Sequence, residues 1–228
     1  MDQPVDQEVS RRYAGILLDV DGTLVDSNDA HANCWVEALA ARDIVVPYAM
    51  VRGMIGMGGD LVIEGVGGPE RGTRANKKLG EERSELFRDK YLPKIRPLPG
   101  ARALVLRLRA EGYHYAIASA AKADELTPLL ALADIADLVD IRTTSDDVAQ
   151  SKPEPDIVDA ALARIPVERA RTVMMGDTEF DVQAARGASV DIIGVTSGGW
   201  HAGALAGAIA VYRGPAELLA LWATSPLA

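Results

Sequence analysis

The chain has 228 residues, 48% hydrophobic and 25% charged, which suffices for one sizeable core plus an insertion but not for two large independent domains. Its formal net charge of −9 argues against a nucleic-acid partner, because broad nucleic-acid binding needs a basic face. With Cys34 as the only cysteine, no internal disulfide is possible. No stretch approaches the roughly 20 apolar residues of a membrane helix. We therefore expect a cytoplasmic protein without a membrane partner.

Apolar runs typical of buried strands alternate with helical patterns along most of the chain. The predicted strands are Gly15–Leu18, Tyr113–Ala118, Leu138–Thr143, Thr172–Met175 and Asp191–Val195. The predicted helices between the later strands are Ala101–Glu111, Asp124–Ala133 and Asp156–Arg164. This alternation predicts an α/β fold with a doubly wound, Rossmann-like parallel sheet that carries helices on both faces. The nearly continuous apolar strands agree, since such a sheet is covered on both sides.

The segment after the first predicted strand breaks this alternation. It shows only helical patterns, at Ala30–Arg42, Asp60–Gly65 and Glu81–Tyr91. Three prolines between positions 93 and 99 then provide a stiff return to the sheet. We predict an inserted α-helical cap domain at residues 27–93 and a core domain formed by residues 1–26 and 94–228.

Polar residues follow three of the predicted strands. Ligands of such sheets bind beyond the carboxyl ends of the strands, and Asp19, Ser119 and Asp177 all lie there. Asp19 and Asp21 are two positions apart, so in an extended chain both carboxylates point to the same side. Gly22 allows a sharp turn that brings backbone N–H groups close to a ligand. The pattern suits Mg²⁺ and phosphate, although an Asp-x-Asp-Gly loop alone is equally consistent with a plain turn.

Four motifs, taken in order, resemble those of the haloacid dehalogenase superfamily. They are Asp19-Val20-Asp21-Gly22-Thr23, Ser119 after its strand, Ser151-Lys152-Pro153-Glu154-Pro155-Asp156, and Gly176-Asp177-Thr178-Glu179-Phe180-Asp181. The resemblance covers the chain from about Tyr13 to Trp222. It implies a Mg²⁺-dependent phosphoric monoester hydrolase that acts on a small phosphorylated metabolite through an aspartyl-phosphate, with a helical cap closing over the active site.

The resemblance also implies roles for the acidic motif residues. Asp19 would be the nucleophile and a metal ligand. Asp21 would exchange protons with the leaving alcohol and with water, and its backbone carbonyl would bind the metal. Asp177 would complete the protein's share of the metal site, and Asp181 would support the metal indirectly or hold Lys152. The alternative for Asp177 and Asp181 is an N-cap and a first-turn acid of a helix.

Four further motif residues would handle the phosphoryl group. Ser119 would donate a hydrogen bond to a phosphoryl oxygen, and Lys152 would neutralise the charge that this group shares with Asp19. Gly22 and Thr23 would cradle phosphate through their backbone N–H groups. By itself, Ser119 could be a simple cap and Lys152 a solvated loop residue.

Substrate selection is expected to reside in the cap. His31 resembles a cap-hinge histidine that contacts the catalytic acid in β-phosphoglucomutase; a solvent-facing helix start is the alternative. Arg52 could clamp a second anionic group of the substrate or pair with an acidic residue of the cap. The glycine-rich run Gly53–Gly59 resembles a substrate-specificity loop of capped phosphatases.

Three alternatives to a phosphatase remain. A sugar-phosphate mutase of the β-phosphoglucomutase type is favoured by His31, but such mutases have Glu-Asp where this chain has Gly176-Asp177, and Asn where it has Ala123. A dehalogenase is disfavoured, because its reaction needs neither Mg²⁺ nor an acid for the leaving group and so would not use Asp21 and Asp177. A non-enzymatic binding protein is disfavoured because every catalytic residue type is present. The sequence leaves open the substrate and the choice between monomer and homodimer.

Overall fold

The computed structural model describes residues 11–228. The strands are β1 (Gly15–Leu18), β2 (Val25–Asp26), β3 (Arg96–Pro97), β4 (His114–Ala118), β5 (Arg142–Thr143), β6 (Thr172–Gly176), β7 (Asp191–Val195) and β8 (Ala210–Tyr212). The α-helices are α1 (Asn28–Ala40), α2 (Tyr48–Arg52), α3 (Gly59–Gly65), α4 (Arg74–Leu86), α5 (Ala101–Ala110), α6 (Ala123–Leu132), α7 (Asp156–Leu162), α8 (Glu179–Gly187) and α9 (Pro215–Ala220).

Six strands form one parallel sheet in the order β5-β4-β1-β6-β7-β8. Helices cover both faces of the sheet. The side chains of β1 show this, since alternate residues pack in different apolar clusters. Ile16 and Leu18 of β1 pack in the cluster that contains residues of α5, α6 and α9, whereas Leu17 packs with α7 and α8. The predicted Rossmann-like α/β fold is confirmed. None of the helices within residues 11–228 is long and apolar enough to cross a membrane.

A helical insertion, which we define as residues 28–94, lies between β2 and β3. These two short strands pair antiparallel, so the chain leaves and re-enters the sheet region at neighbouring points. The insertion has its own apolar cluster, which includes Trp35, Leu39 and Leu79. After α4 the helix continues as one π-helical turn at Phe87–Tyr91. The domain boundaries at 27–93 stay a prediction, and residues 1–10 of the predicted core lie outside the described part of the chain.

Two predicted elements have a boundary more than two residues away from the observed one. The strand expected at Leu138–Thr143 is reduced to Arg142–Thr143. Its first part forms a turn instead, in which the Leu138 carbonyl accepts a hydrogen bond from the Tyr115 hydroxyl at 2.7 Å. The helix expected at Glu81–Tyr91 begins seven residues earlier, where the Thr73 side chain caps α4 by accepting from the Asn76 N–H.

Candidate active site

The carboxyl ends of three neighbouring strands bring the motif residues to one edge of the sheet. Asp19 follows β1, Ser119 follows β4 and Asp177 follows β6, and β1 lies between the other two strands. A cavity of about 430 Å³ separates this edge from the helical insertion. The acidic motif residues that line it are Asp19, Asp21, Asp177 and Asp181.

Asp19 is held on both carboxylate oxygens. It is 5% exposed; Oδ1 accepts from Lys152 Nζ at 2.7 Å and Oδ2 from Thr23 Oγ1 at 3.0 Å. Burial, aided by repulsion from Asp181 and Asp21, outweighs the attraction of Lys152 and raises the pKa of Asp19 to about 7. A fixed carboxylate with little hydration, facing a cavity, is suited to nucleophilic attack.

Lys152 bridges two carboxylates. Its Nζ also donates to Asp181 Oδ1 at 2.7 Å. Burial alone would lower the pKa of Lys152, but Asp181 and Asp19 raise it above its ordinary value, so the lysine stays charged. The other Asp181 oxygen accepts from the N–H and the hydroxyl of Thr178 in a capping box of α8. Asp181 therefore holds Lys152 and stabilises a helix start at the same time.

Three carboxylates form a group that fits a hard cation. Single oxygens of Asp19, Asp177 and Asp181 all lie within 4.8 Å of one another. Burial, with repulsion from Asp19 and Asp181, raises the pKa of Asp177 well above its usual range. Carboxylate oxygens are preferred Mg²⁺ ligands, and a divalent cation would relieve this repulsion. The carboxylate of Asp21 lies outside the group; its predicted metal contact is through its backbone carbonyl.

Two glycines and the side-chain amide of Asn28 surround the Asp177 carboxylate. Gly22 has a φ of +76°, and a Cβ there or at Gly198 would overlap with the Asp177 carboxylate. Asn28 Nδ2 donates to Asp177 Oδ2 at 2.7 Å and to the Gly198 carbonyl at 3.0 Å. Two glycines and an asparagine thus leave room for Asp177 and orient it.

Asp21 is held from the side of the insertion. Its Oδ1 lies 2.8 Å from His31 Nε2 and accepts from the Ser27 hydroxyl at 2.5 Å. Arg83, which can only donate, contacts His31 Nδ1, so the proton of a neutral His31 lies on Nε2 and points to Asp21. Burial would raise the pKa of Asp21, but His31, Ser27 and Arg83 lower it below its ordinary value. This arrangement favours the carboxylate form, which can take a proton from water.

A buried ion pair anchors Arg83 to the core. Arg83 Nη1 donates to both carboxylate oxygens of Glu125 at 2.8 and 2.7 Å, and the side chains are only 7% and 4% exposed. The guanidinium also lies 5.0 Å from the ring centre of Trp35 and 4.7 Å from that of Phe87. Arg83 belongs to the insertion and Glu125 to α6, so the pair links the two parts of the molecule and continues through His31 to Asp21.

Two predicted phosphate or substrate residues have other partners. The Ser119 hydroxyl is fully buried and accepts from the Ala121 N–H at 3.1 Å; Ser119 is not among the residues that line the cavity. Arg52 lies outside the cavity, where it donates to Asp29 Oδ1 at 2.7 Å and to the Gly198 carbonyl. That contact is the predicted pairing with an acidic residue of the insertion, and the substrate clamp stays a prediction.

The sequence reasoning missed Asn28, Arg83 and Glu125. Two of them left a signal, because each is a charged residue one helical turn from a buried leucine. Arg83 is four residues after Leu79, and Glu125 is four residues before Leu129. Residues at this spacing share a helix face, so the pattern indicates that both side chains point toward the apolar side of their helices, where a buried charge needs a partner.

Comparison with known proteins agrees with the fold and identifies the family. The family model of haloacid dehalogenase-like hydrolases matches residues 16–195. The chain is 30% identical to "Probable phosphatase IndB" of Dickeya dadantii over 193 residues, covering 80% of this chain and 81% of that protein. It is 30% identical to a plasmid-encoded phosphoglycolate phosphatase of Cupriavidus necator, covering 81% of each chain.

Another curated relative is named for a different substrate, and solved structures share the fold. A fructose-1-phosphate phosphatase of Escherichia coli, YqaB, is 27% identical, with 81% of this chain and 97% of that protein covered. A hydrolase from Pseudomonas syringae superposes with a TM-score of 0.86 at 30% identity, covering 93% and 98% of the chains. CbbY from Rhodobacter sphaeroides, solved with phosphate, has a TM-score of 0.75 at 24% identity, covering 90% and 96%, and supports the fold only. The match over residues 16–195 confirms the predicted superfamily: the chain belongs to the haloacid dehalogenase-like hydrolases.

Proposed function

We propose that this protein is a Mg²⁺-dependent phosphatase that hydrolyses a small phosphorylated metabolite through an aspartyl-phosphate on Asp19. The observation that carries the proposal is the buried Asp19 carboxylate, fixed by Lys152 and Thr23 at the floor of the cavity. The relatives named phosphatases, among them phosphoglycolate and fructose-1-phosphate phosphatases, support the reaction class.

In the first half-reaction, an Asp19 carboxylate oxygen forms a bond to phosphorus as the bond from phosphorus to the alcohol oxygen breaks. This step proceeds from the fraction of molecules in which Asp21 is protonated despite its lowered pKa, and Asp21 gives that proton to the departing alkoxide. Lys152 balances the negative charge that Asp19 and the phosphoryl oxygens share. Mg²⁺ held by Asp19, Asp177 and the Asp21 carbonyl would neutralise further charge on the phosphoryl group.

In the second half-reaction, water attacks the phosphorus of the aspartyl-phosphate. Asp21, now a carboxylate, accepts a proton from that water, and the Asp19 carboxylate is regenerated as inorganic phosphate leaves. The contacts of Asp21 with His31 and Ser27 favour the carboxylate form that this step requires.

The test is phosphate release from a panel of phosphate monoesters, with Mg²⁺ and with a chelator, by the wild type and by Asp19→Asn. We expect Mg²⁺-dependent release by the wild type and none by Asp19→Asn, since an amide is a poor nucleophile. Asp140→Asn, the same change at an exposed position, is the matched control and should retain activity. Comparable turnover by a folded Asp19→Asn protein would contradict the proposal.

A mutase is the second candidate, because His31 Nε2 lies 2.8 Å from Asp21 Oδ1, and the resemblance to β-phosphoglucomutase implies such a contact. A candidate β-phosphoglucomutase from Bacteroides vulgatus also shares the fold, with a TM-score of 0.83 at 21% identity. Consumption of a sugar phosphate without phosphate release, dependent on a bisphosphate, would favour the mutase.

A further inference from the structure

The helix α4 presents a glycine to the active-site cavity. Gly80 lies in the interior of this 13-residue helix and lines the cavity. Glycine destabilises a helix interior relative to alanine, because it loses more backbone freedom on folding. Gly80 therefore makes α4 less stable than alanine would. The surroundings of position 80 indicate why a residue without a side chain lies there.

The missing side chain would point into the cavity. A Cβ at Gly80 would meet no atom within 4 Å outside its own helix and its chain neighbours. At about 100° per residue, position 80 falls in the middle of the helix face that lines the cavity. The other residues of that face are Asn76, Lys77, Glu81, Arg83 and Ser84. The open space beside Gly80 is thus the cavity itself.

Small residues also form the cavity wall on the core side. On the core side, opposite the insertion, the wall includes Ala120 and Ala121, next to the buried Ser119. On the insertion side it includes the apolar side chain of Ile63 and Gly56, whose missing side chain would meet Thr178 of the core. The volume of about 430 Å³ lies within the roughly 300–1,000 Å³ typical of small-molecule pockets, and a two-carbon ester would leave most of it to water.

We propose that Gly80 is a specificity-determining residue, which keeps the cavity open for a leaving alcohol of about the size of a sugar. This inference rests on the proposed phosphatase function and names the substrate class of the same site. A Cβ at position 80 would lie more than 4 Å from Asp19, Lys152 and Asp177, so a side chain there would take up space in the cavity and not replace a contact of the reacting groups. Its effect therefore grows with the size of the alcohol.

The experiment compares kcat/KM for phosphoglycolate, glycerol phosphates and hexose monophosphates in the wild type, Gly80→Ala, Gly80→Met and Gly80→Leu. We expect Gly80→Leu to lower the ratio of kcat/KM for hexose phosphates to that for phosphoglycolate at least about tenfold, or about 1.4 kcal/mol. Gly80→Ala should change the ratio less and raise Tm by roughly 2–4 °C, because it favours the helix. Gly80→Met, with a flexible side chain, provides a second bulky variant should Gly80→Leu fail to fold.

Lys78→Leu is the matched control. It introduces leucine two positions away, at about 200° around the same helix, where the lysine side chain is 64% exposed. It should leave the ratio unchanged. An unchanged ratio in folded Gly80→Leu and Gly80→Met would contradict the role of Gly80. Wild-type activity on phosphoglycolate but not on hexose phosphates would contradict the inferred substrate size alone, whereas no release from any ester would contradict the proposed phosphatase function.

Discussion

At the scale of single residues, the site depends on one buried cation among several carboxylates. Lys152 is 1% exposed and contacts Asp19 and Asp181, each at 2.7 Å. Single carboxylate oxygens of Asp19, Asp177 and Asp181 lie within 4.8 Å of one another, and like charges at this separation repel strongly in a medium of low polarity. The positive charge of Lys152 offsets this repulsion, which water cannot screen. Lys152 therefore has two effects, on folding and on the charge that develops during phosphoryl transfer.

Replacing Lys152 separates these effects. We expect Lys152→Met to lower kcat about 100-fold or more, because a fixed positive charge beside the reacting group is lost. The free energy of unfolding without Mg²⁺ should fall by about 3–5 kcal/mol, the usual cost of breaking a buried ion pair. Urea unfolding and steady-state kinetics measure the two quantities, with the exposed Lys78→Met as control. Wild-type kcat in a folded Lys152→Met protein would contradict its role at the phosphoryl group.

At the scale of elements, α4 joins the insertion to the core through Arg83 and Glu125. The pair is almost fully buried, and it lies one contact away from His31, which holds Asp21. The adjacent pair of Arg88 and Asp124 also crosses between insertion and core, but both side chains are substantially exposed. The two pairs allow a comparison between a buried and an exposed link at the same boundary.

We expect Arg83→Met and Glu125→Gln each to cost about 3–5 kcal/mol of unfolding free energy, since each leaves a buried charge without its partner. The double substitution should cost less than the sum, because no unpaired charge remains. Asp124→Asn, at the exposed pair, should cost at most about 1 kcal/mol. A double-mutant cycle in urea measures these values; additive losses at Arg83 and Glu125 would show that the two charges do not stabilise each other.

At the scale of the whole molecule, the stability of the metal-free protein should depend on pH through the acidic group. The pKa of Asp19 rises from 3.8 to about 7 on folding, and that of Asp177 rises as well. Between about pH 4 and 7 the folded state therefore binds more protons than the unfolded chain, and these two residues lower stability as pH increases. Mg²⁺ competes with those protons and removes the repulsion.

Mg²⁺ should accordingly raise Tm more at pH 8 than at pH 5.5. Thermal unfolding with Mg²⁺ and with a chelator, at both pH values, measures the shift. The variant Asp177→Asn should lose most of the response, since it lacks a predicted metal ligand. An equal shift at the two pH values would argue against a cation bound by Asp19 and Asp177.

Much of this architecture follows from local patterns in the sequence. Apolar runs and helical periodicity predict five strands of the parallel sheet, and strand ends predict where Asp19, Ser119 and Asp177 meet. The short strands β2, β3 and β8 are not predicted, because each has only two or three residues, too few for a periodic signal. At the start of the strand expected from Leu138, the structure instead has a side-chain hydrogen bond from Tyr115 to the Leu138 carbonyl, which no local pattern contains.

By itself, the sequence determined the fold class, the superfamily and the acidic motif residues, because these depend on hydrophobic periodicity and on residues close together in the chain. Only the tertiary structure decided which partners those residues have. Asn28 reaches Asp177 across 149 positions, Lys152 reaches Asp19 across 133, and Arg83 reaches Glu125 across 42. Such contacts form when the sheet and the insertion pack around one cavity. Buried charges and amides are then stable only with a hydrogen-bond or ion-pair partner, and hydrophobic periodicity does not predict which residue that partner is.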